Sequence, residues 1–158
     1  MIASNTITLF CLFILFLPLV AFVINIFIGK RLPRQGDWVS VGAILTTLLL
    51  SLILLISMFI SGDPNFSHEA VLPWIDLGAF KIDLGLWVDN ITVVMLVVVA
   101  LISSMTHLFS IEYMKGDIRY NRYYAYLGLF TFSMNGIVLA NNLMSLYIFW
   151  ELVGVSSY

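Results

Sequence analysis

The sequence predicts an all-α polytopic membrane protein, a transmembrane helix bundle with a short external β-hairpin between its second and third helices. Three observations carry this reading. Hydrophobic residues make up 61% of the 158 and charged residues only 10%, whereas a soluble domain carries about 45–50% and about 25%. The hydrophobic residues fall in long uncharged runs separated by short charged segments. One stretch between the second and third runs switches to a period of two. The mean hydropathy of +1.04 agrees. A net charge of −2 provides no basic field for nucleic acid. The single cysteine, Cys11, lies inside an apolar run and reads as a small core residue.

A bilayer core about 30 Å thick needs about 20 residues of helix. No charge precedes Lys30, and the first span is read at 6–28. It lacks the basic leading region of a signal peptide and exceeds the cleavable apolar core of about 7–15 residues. Pro18 lies inside it, where packed neighbours tolerate a proline. Lys30, Arg31 and Arg34 break the pattern, and the second span follows at 38–60. The third is read at 90–110, with Asp89 as its N-terminal cap. A charged loop leads to the fourth at 123–140, and Asn141-Asn142 turn the chain into a fifth at 143–158. Those 16 residues, at about 1.5 Å each, fall short of the hydrocarbon thickness. The whole chain, 1–158, is therefore expected to be one N-terminal membrane region of a longer protein, its last helix cut short.

Basic residues gather in short cytoplasmic loops. Lys30, Arg31, Arg34, Lys115, Arg119 and Arg122 share one side and only Lys81 lies on the other. This asymmetry puts the N-terminus outside and the connection between spans two and three on the outer face.

That connection holds the hairpin, read at 66–89. Phe80, Ile82, Leu84, Leu86 and Val88 alternate with Lys81, Asp83, Gly85 and Trp87, and residues 71–76 are the expected partner with the turn at 77–79. Trp74 and Trp87 suit the interfacial belt. His68, beside Glu69 at the start of the loop, reads as a solvated residue.

Of nine acidic residues, eight lie in loops or at helix ends. The ninth, Glu151, is eight residues past Leu143, about 12 Å along the helix. A charge at that depth costs roughly 2.5–3.5 kcal/mol and usually faces a bundle interior or a hydrated path. A carboxylate whose proton affinity moves with burial and nearby charge is what a proton relay requires. Helical spacing puts Met144, Tyr147, Glu151, Gly154 and Tyr158 on one face, so Tyr147 is a candidate member of the relay. His107, on one side of span three with Ser103 and Ser110, is a further candidate for the proton path or a satisfied packing histidine. Asn135 and Ser133 are read as interhelical bonds. A scaffold role, with Glu151 protonated in a static bundle, is the alternative of a different class. No nucleotide loop, metal cluster or nucleophile constellation occurs, and Ser156-Ser157 after Gly154 is not a nucleophile elbow.

Two segments carry a resemblance. One is His107-Leu-Phe-Ser-Ile-Glu-Tyr-Met114 with Asp117 and Arg122-Tyr-Tyr. The other runs from Leu129-Phe-Thr-Phe-Ser-Met134 through Asn142 to Phe149-Trp-Glu-Leu-Val-Gly-Val-Ser-Ser-Tyr158. Together they resemble the antiporter-like proton-translocating subunits of respiratory complex I, the subunit L or chain 5 family, over essentially the whole chain. Phe109 departs from the Tyr common in that pattern. The multisubunit cation/proton antiporters share a similar Trp-Glu element and are the nearest alternative.

The resemblance implies a translocase subunit with no redox centre and no cofactor of its own. NADH, FMN, iron–sulfur clusters and quinone would belong to other parts of the complex. It implies other membrane subunits and the lipid bilayer as partners, with protons as the only small substrate and no nucleic acid. It implies a bacterial inner membrane in preference to a mitochondrial one. It also implies that Glu151 pairs with a lysine on a later helix, beyond Tyr158.

Overall fold

The computed structural model describes residues 4–63, 66–76 and 81–158. Five helices and one hairpin follow in the order α1 (Ser4–Phe27), α2 (Asp37–Ser61), β1 (Ser67–Asp76), β2 (Lys81–Asp89), α3 (Asn90–Tyr113), α4 (Tyr120–Leu139) and α5 (Leu143–Ser157). Two short 3₁₀ turns, Gly29–Arg31 and Pro33–Gly36, join α1 to α2. The fold is the helical membrane bundle with a small hairpin that the sequence predicts.

α1, α2 and α3 are each long and apolar enough to cross a membrane, and α5 is a shorter apolar helix. α4 is the least apolar of the five, and it is the helix that packs against all four others. The two facts have one cause. Its polar side chains Asn121, Thr131, Ser133 and Asn135 are all buried against neighbouring helices, so they meet protein groups rather than lipid. Large apolar side chains such as Leu49, Phe59, Ile91 and Ile102 instead cover the outside, the reverse of a water-soluble surface.

The helices overrun the apolar runs of the sequence. α3 continues through Glu112 to Tyr113 and α4 starts at Tyr120, because charged side chains beyond the hydrocarbon do not interrupt backbone hydrogen bonding. The reversal between them falls at Gly116, with φ +88°, a left-handed conformation that glycine adopts without strain.

Pro18 lies inside α1 and has no N–H to offer the carbonyl of Ile14 one turn earlier. Asn135 of α4 fills that role, donating Nδ2 to the Ile14 carbonyl at 3.0 Å. One residue further along α4, Phe149 of α5 packs on Gly136, where an added Cβ would come within 2.2 Å of its ring. Phe149 also meets Phe132 edge-on, with centroids 5.5 Å apart. Cys11 is fully buried between these layers with Ile14, Leu96 and Leu139.

The hairpin strands are antiparallel, with Ser67 opposite Asp89 and Val71 opposite Gly85 and an irregularity between Pro73 and Ile75. The expected turn at 77–79 lies outside the described residues. The strand pair closes one end of the bundle. Val88 is 1% exposed in the core, and Leu86 bridges to Ala140 at the α4–α5 corner. Asn142 clamps this corner twice: Nδ2 donates to the Asp83 carbonyl at 2.5 Å, and Oδ1 caps α5 by accepting from Ser145 N at 2.8 Å. Asp89 ends β2 and caps α3, accepting from Thr92 N at 2.7 Å. His68 is not the solvated residue its sequence context suggests. It is half-buried, with Nε2 2.7 Å from Thr8 Oγ1 of α1, because pairing with Val88 turns it toward the bundle.

Candidate functional site

The polar chemistry divides into an outward face on α5 and a buried network at the opposite end from the hairpin. α5 is oriented by its inward side chains. Ser145 is buried, and Phe149 and Leu152 pack against the core. These fix the opposite stripe, and Met144, Tyr147, Glu151, Gly154 and Tyr158 are all exposed. Tyr147 and Glu151 lie one turn apart on this stripe. The spacing argument thus gives the correct face, but among the described residues that face does not look into the bundle. Glu151 projects away from α1–α4.

His107 lies elsewhere. It is completely buried, its Nδ1 2.8 Å from the Ser103 carbonyl. Nε2 has no hydrogen-bond partner among the described residues. Tyr124 covers the ring at 6.0 Å and donates its hydroxyl to the His107 carbonyl at 2.9 Å. The same helix faces join the Ser103 and Thr131 hydroxyls and bring Ser110 Oγ to 2.9 Å from Tyr123 OH. His107, Ser103 and Ser110 do form one group, and α4 supplies its other half. Among the described residues no hydrogen bond connects it to Glu151 or Tyr147.

Sequence reasoning missed the anchor of this network. Asp37, first residue of α2, is 1% exposed. Its Oδ2 accepts from Tyr120 OH and from the Arg34 guanidinium, each at 2.9 Å, and its Oδ1 accepts from Trp38 N at 2.6 Å. Tyr120 stands against Tyr124 with ring centroids 5.0 Å apart, which continues the chain of polar groups to His107. Asn25 completes it by donating Nδ2 to Ser40 Oγ at 2.6 Å. The 3₁₀ segment before Asp37 makes this possible. Gly36 has φ +82°, and a Cβ there would lie 2.3 Å from Asn25 Oδ1. Asp37 has the look of an ordinary N-terminal helix acid; only contact with Tyr120, eighty-three residues away, distinguishes it. No group of three or more His, Cys, Asp or Glu able to hold a metal occurs among the described residues.

Fold and site together define a polytopic membrane protein whose fifth helix, otherwise apolar, carries one carboxylate. Residues 74–124 match the family model described as NADH-ubiquinone oxidoreductase (complex I), chain 5 N-terminus. The chain is 40% identical to NADH-ubiquinone oxidoreductase chain 5 of Chondrus crispus, over 93% of this chain and 22% of that protein. It is 34% identical to NADH-quinone oxidoreductase subunit L of Rickettsia conorii, over 94% of this chain and 22% of that protein. The chain 5 protein of Arabidopsis thaliana is 37% identical over 93% and 22%. Over more than nine-tenths of its length the chain is similar to these subunit L and chain 5 proteins, and it spans about a fifth of the length of the curated relatives it matches. A chain of the membrane-bound sulfane sulfur reductase, an archaeal respiratory membrane complex, shares the fold. Its TM-score is 0.74 at 17% identity, covering 94% of this chain and 29% of that one.

Proposed function

We propose that the chain is part of a membrane subunit of an NADH:quinone oxidoreductase and takes part in proton translocation coupled to electron transfer from NADH to quinone. The observation that carries this is the placement of Glu151, a carboxylate in an apolar helix that its own bundle leaves uncovered. A charge in hydrocarbon is costly, so an outward glutamate calls for a polar or cationic partner on another helix. Tyr147, one turn away on the same stripe, places a phenol near the carboxylate and leaves it accessible. When the partner approaches, the charged form is favoured; when it withdraws, desolvation favours the protonated form. Alternation between these states moves a proton. Transfer of one charge through 100 mV takes about 2.3 kcal/mol, a scale that pairing at this depth reaches.

NADH, FMN, iron–sulfur clusters and quinone belong in this reading to other subunits, and this chain contributes no redox centre. His107 and its hydroxyl neighbours are a secondary path element. The gathering of Lys30, Arg31, Arg34, Lys115, Arg119 and Arg122 at the end of the bundle away from the hairpin supports a cytoplasmic location for that end and an outward N-terminus in a bacterial inner membrane. The test is Glu151→Gln in the full-length gene, with NADH oxidation and acidification of inverted membrane vesicles followed together. Reduced acidification in an assembled complex is expected. Unchanged acidification favours a scaffold role for Glu151, and loss of sodium-gradient exchange with NADH-driven pumping intact favours an antiporter.

A further inference from the structure

The basic end of the bundle contains a cleft of about 440 Å³ lined by Lys30, Gln35, Ile118, Arg119, Asn121 and Arg122. Three of these six side chains are cationic and none is acidic. They come from two separate segments, the α1–α2 connection and the start of α4. Among the described residues the ion pairs are Arg34–Asp37 and Lys115–Glu112, so Lys30, Arg119 and Arg122 enter none. Asn121 is 5% exposed, yet its Oδ1 has no hydrogen-bond partner among the described residues. The cleft also lies at the N-terminus of α4, which no side chain caps and where the helix dipole favours negative charge. The three cations and the uncapped helix end suit an anion.

The surroundings identify what carries the anion. Phe27 and Ile28, 79% and 51% exposed, precede Lys30 closely, and Ile118 on the cleft rim is 97% exposed. One turn beyond Arg122, Tyr126 is 44% exposed and packs on Phe22 of α1. An apolar seam between α1 and α4 therefore runs from the cleft along the bilayer-facing surface. We propose that the cleft binds the headgroup of an anionic phospholipid whose acyl chains lie along this seam. Lys30, Arg119 and Arg122 contact the phosphate, and Phe27, Phe22 and Tyr126 contact the chains. A free phosphate shares the headgroup chemistry but would make no use of the seam.

The test uses the full chain in phosphatidylcholine vesicles containing spin-labelled phosphatidylglycerol, with spin-labelled phosphatidylcholine as reference. Electron spin resonance reads the fraction of label immobilised on protein. Selectivity for phosphatidylglycerol is expected, with about a fivefold drop in relative association for each cleft charge removed. Arg122→Gln and Lys30→Gln are two independent variants, each checked for helical circular dichroism. Lys115→Gln, outside the cleft, is expected to keep the selectivity. Equal losses in Lys115→Gln and the cleft variants, or no selectivity in the parent chain, would overturn the proposal. So would abolition of the selectivity by inorganic phosphate at an ionic strength where chloride has no effect, which would assign the cleft to free phosphate.

Discussion

Asn135 of α4 donates to the carbonyl of Ile14 in α1 at 3.0 Å, the acceptor that Pro18 leaves without its helical donor. A proline in one helix and an asparagine in another are thus one device. It ties α1 to α4 at the depth where no water is present to satisfy the orphaned carbonyl.

Asn135→Leu should destabilise the bundle by about 1–2 kcal/mol. The distinguishing experiment is a double-mutant cycle in detergent unfolding titrations. With Pro18→Ala in place, the substituted alanine supplies a backbone N–H to the Ile14 carbonyl, and the cost of Asn135→Leu should fall by about half or more. Equal costs in both backgrounds would show that Asn135 acts by packing alone.

Gly136→Ala should displace α5, since the new Cβ would stand 2.2 Å from the Phe149 ring. Overpacking of this kind costs about 1–3 kcal/mol. Phe149→Leu in the same chain should recover part of the loss in thermal unfolding followed by helical circular dichroism.

Asp37 and Arg34 form one ion pair with unequal consequences, because their side chains are 2% and 65% exposed. Arg34→Gln removes a solvent-screened charge, and its effect should be about 1 kcal/mol or less. Asp37→Ala leaves the buried Tyr120 hydroxyl and the Trp38 N–H without an acceptor and should cost about 2–4 kcal/mol. Comparable losses in unfolding titrations of the two variants would contradict this asymmetry.

The Thr92 N–H holds the Asp89 carboxyl below the usual carboxylate value of 3.8. A group depressed in the folded state stabilises it fully above the unfolded value and loses that contribution as pH falls through the folded one. The α3 cap should therefore survive moderate acid and weaken only below about pH 3.8. Asp89→Asn should keep most of the cap and flatten this acid limb of a stability–pH curve, whereas Asp89→Ala should lose about 1 kcal/mol at neutral pH.

The helices and the hairpin were legible because their signals are local: uncharged runs, a period-two stretch, and capping residues such as Asp89. The face of α5 was legible for the same reason, since helical spacing alone unites Tyr147 with Glu151. What that face looks toward was not, because it depends on where Phe149 and Leu152 find their partners. Asp37 escaped notice because its burial is created by Tyr120 and Arg34, and no local pattern marks a helix-end acid as internal. His68 misled for a similar reason, its strand pairing with Val88 turning a loop histidine onto α1.

The central claim is that Glu151 carries protons. Its most direct test is the number of protons moved per NADH oxidised by the assembled complex in inverted vesicles, compared between the parent and Glu151→Gln. Glutamine keeps the size and hydrogen-bonding capacity of the side chain but cannot titrate. The proton-to-NADH ratio should fall while assembly and the hairpin-capped fold remain. An unchanged ratio in the assembled variant would contradict the account and leave Glu151 a structural residue.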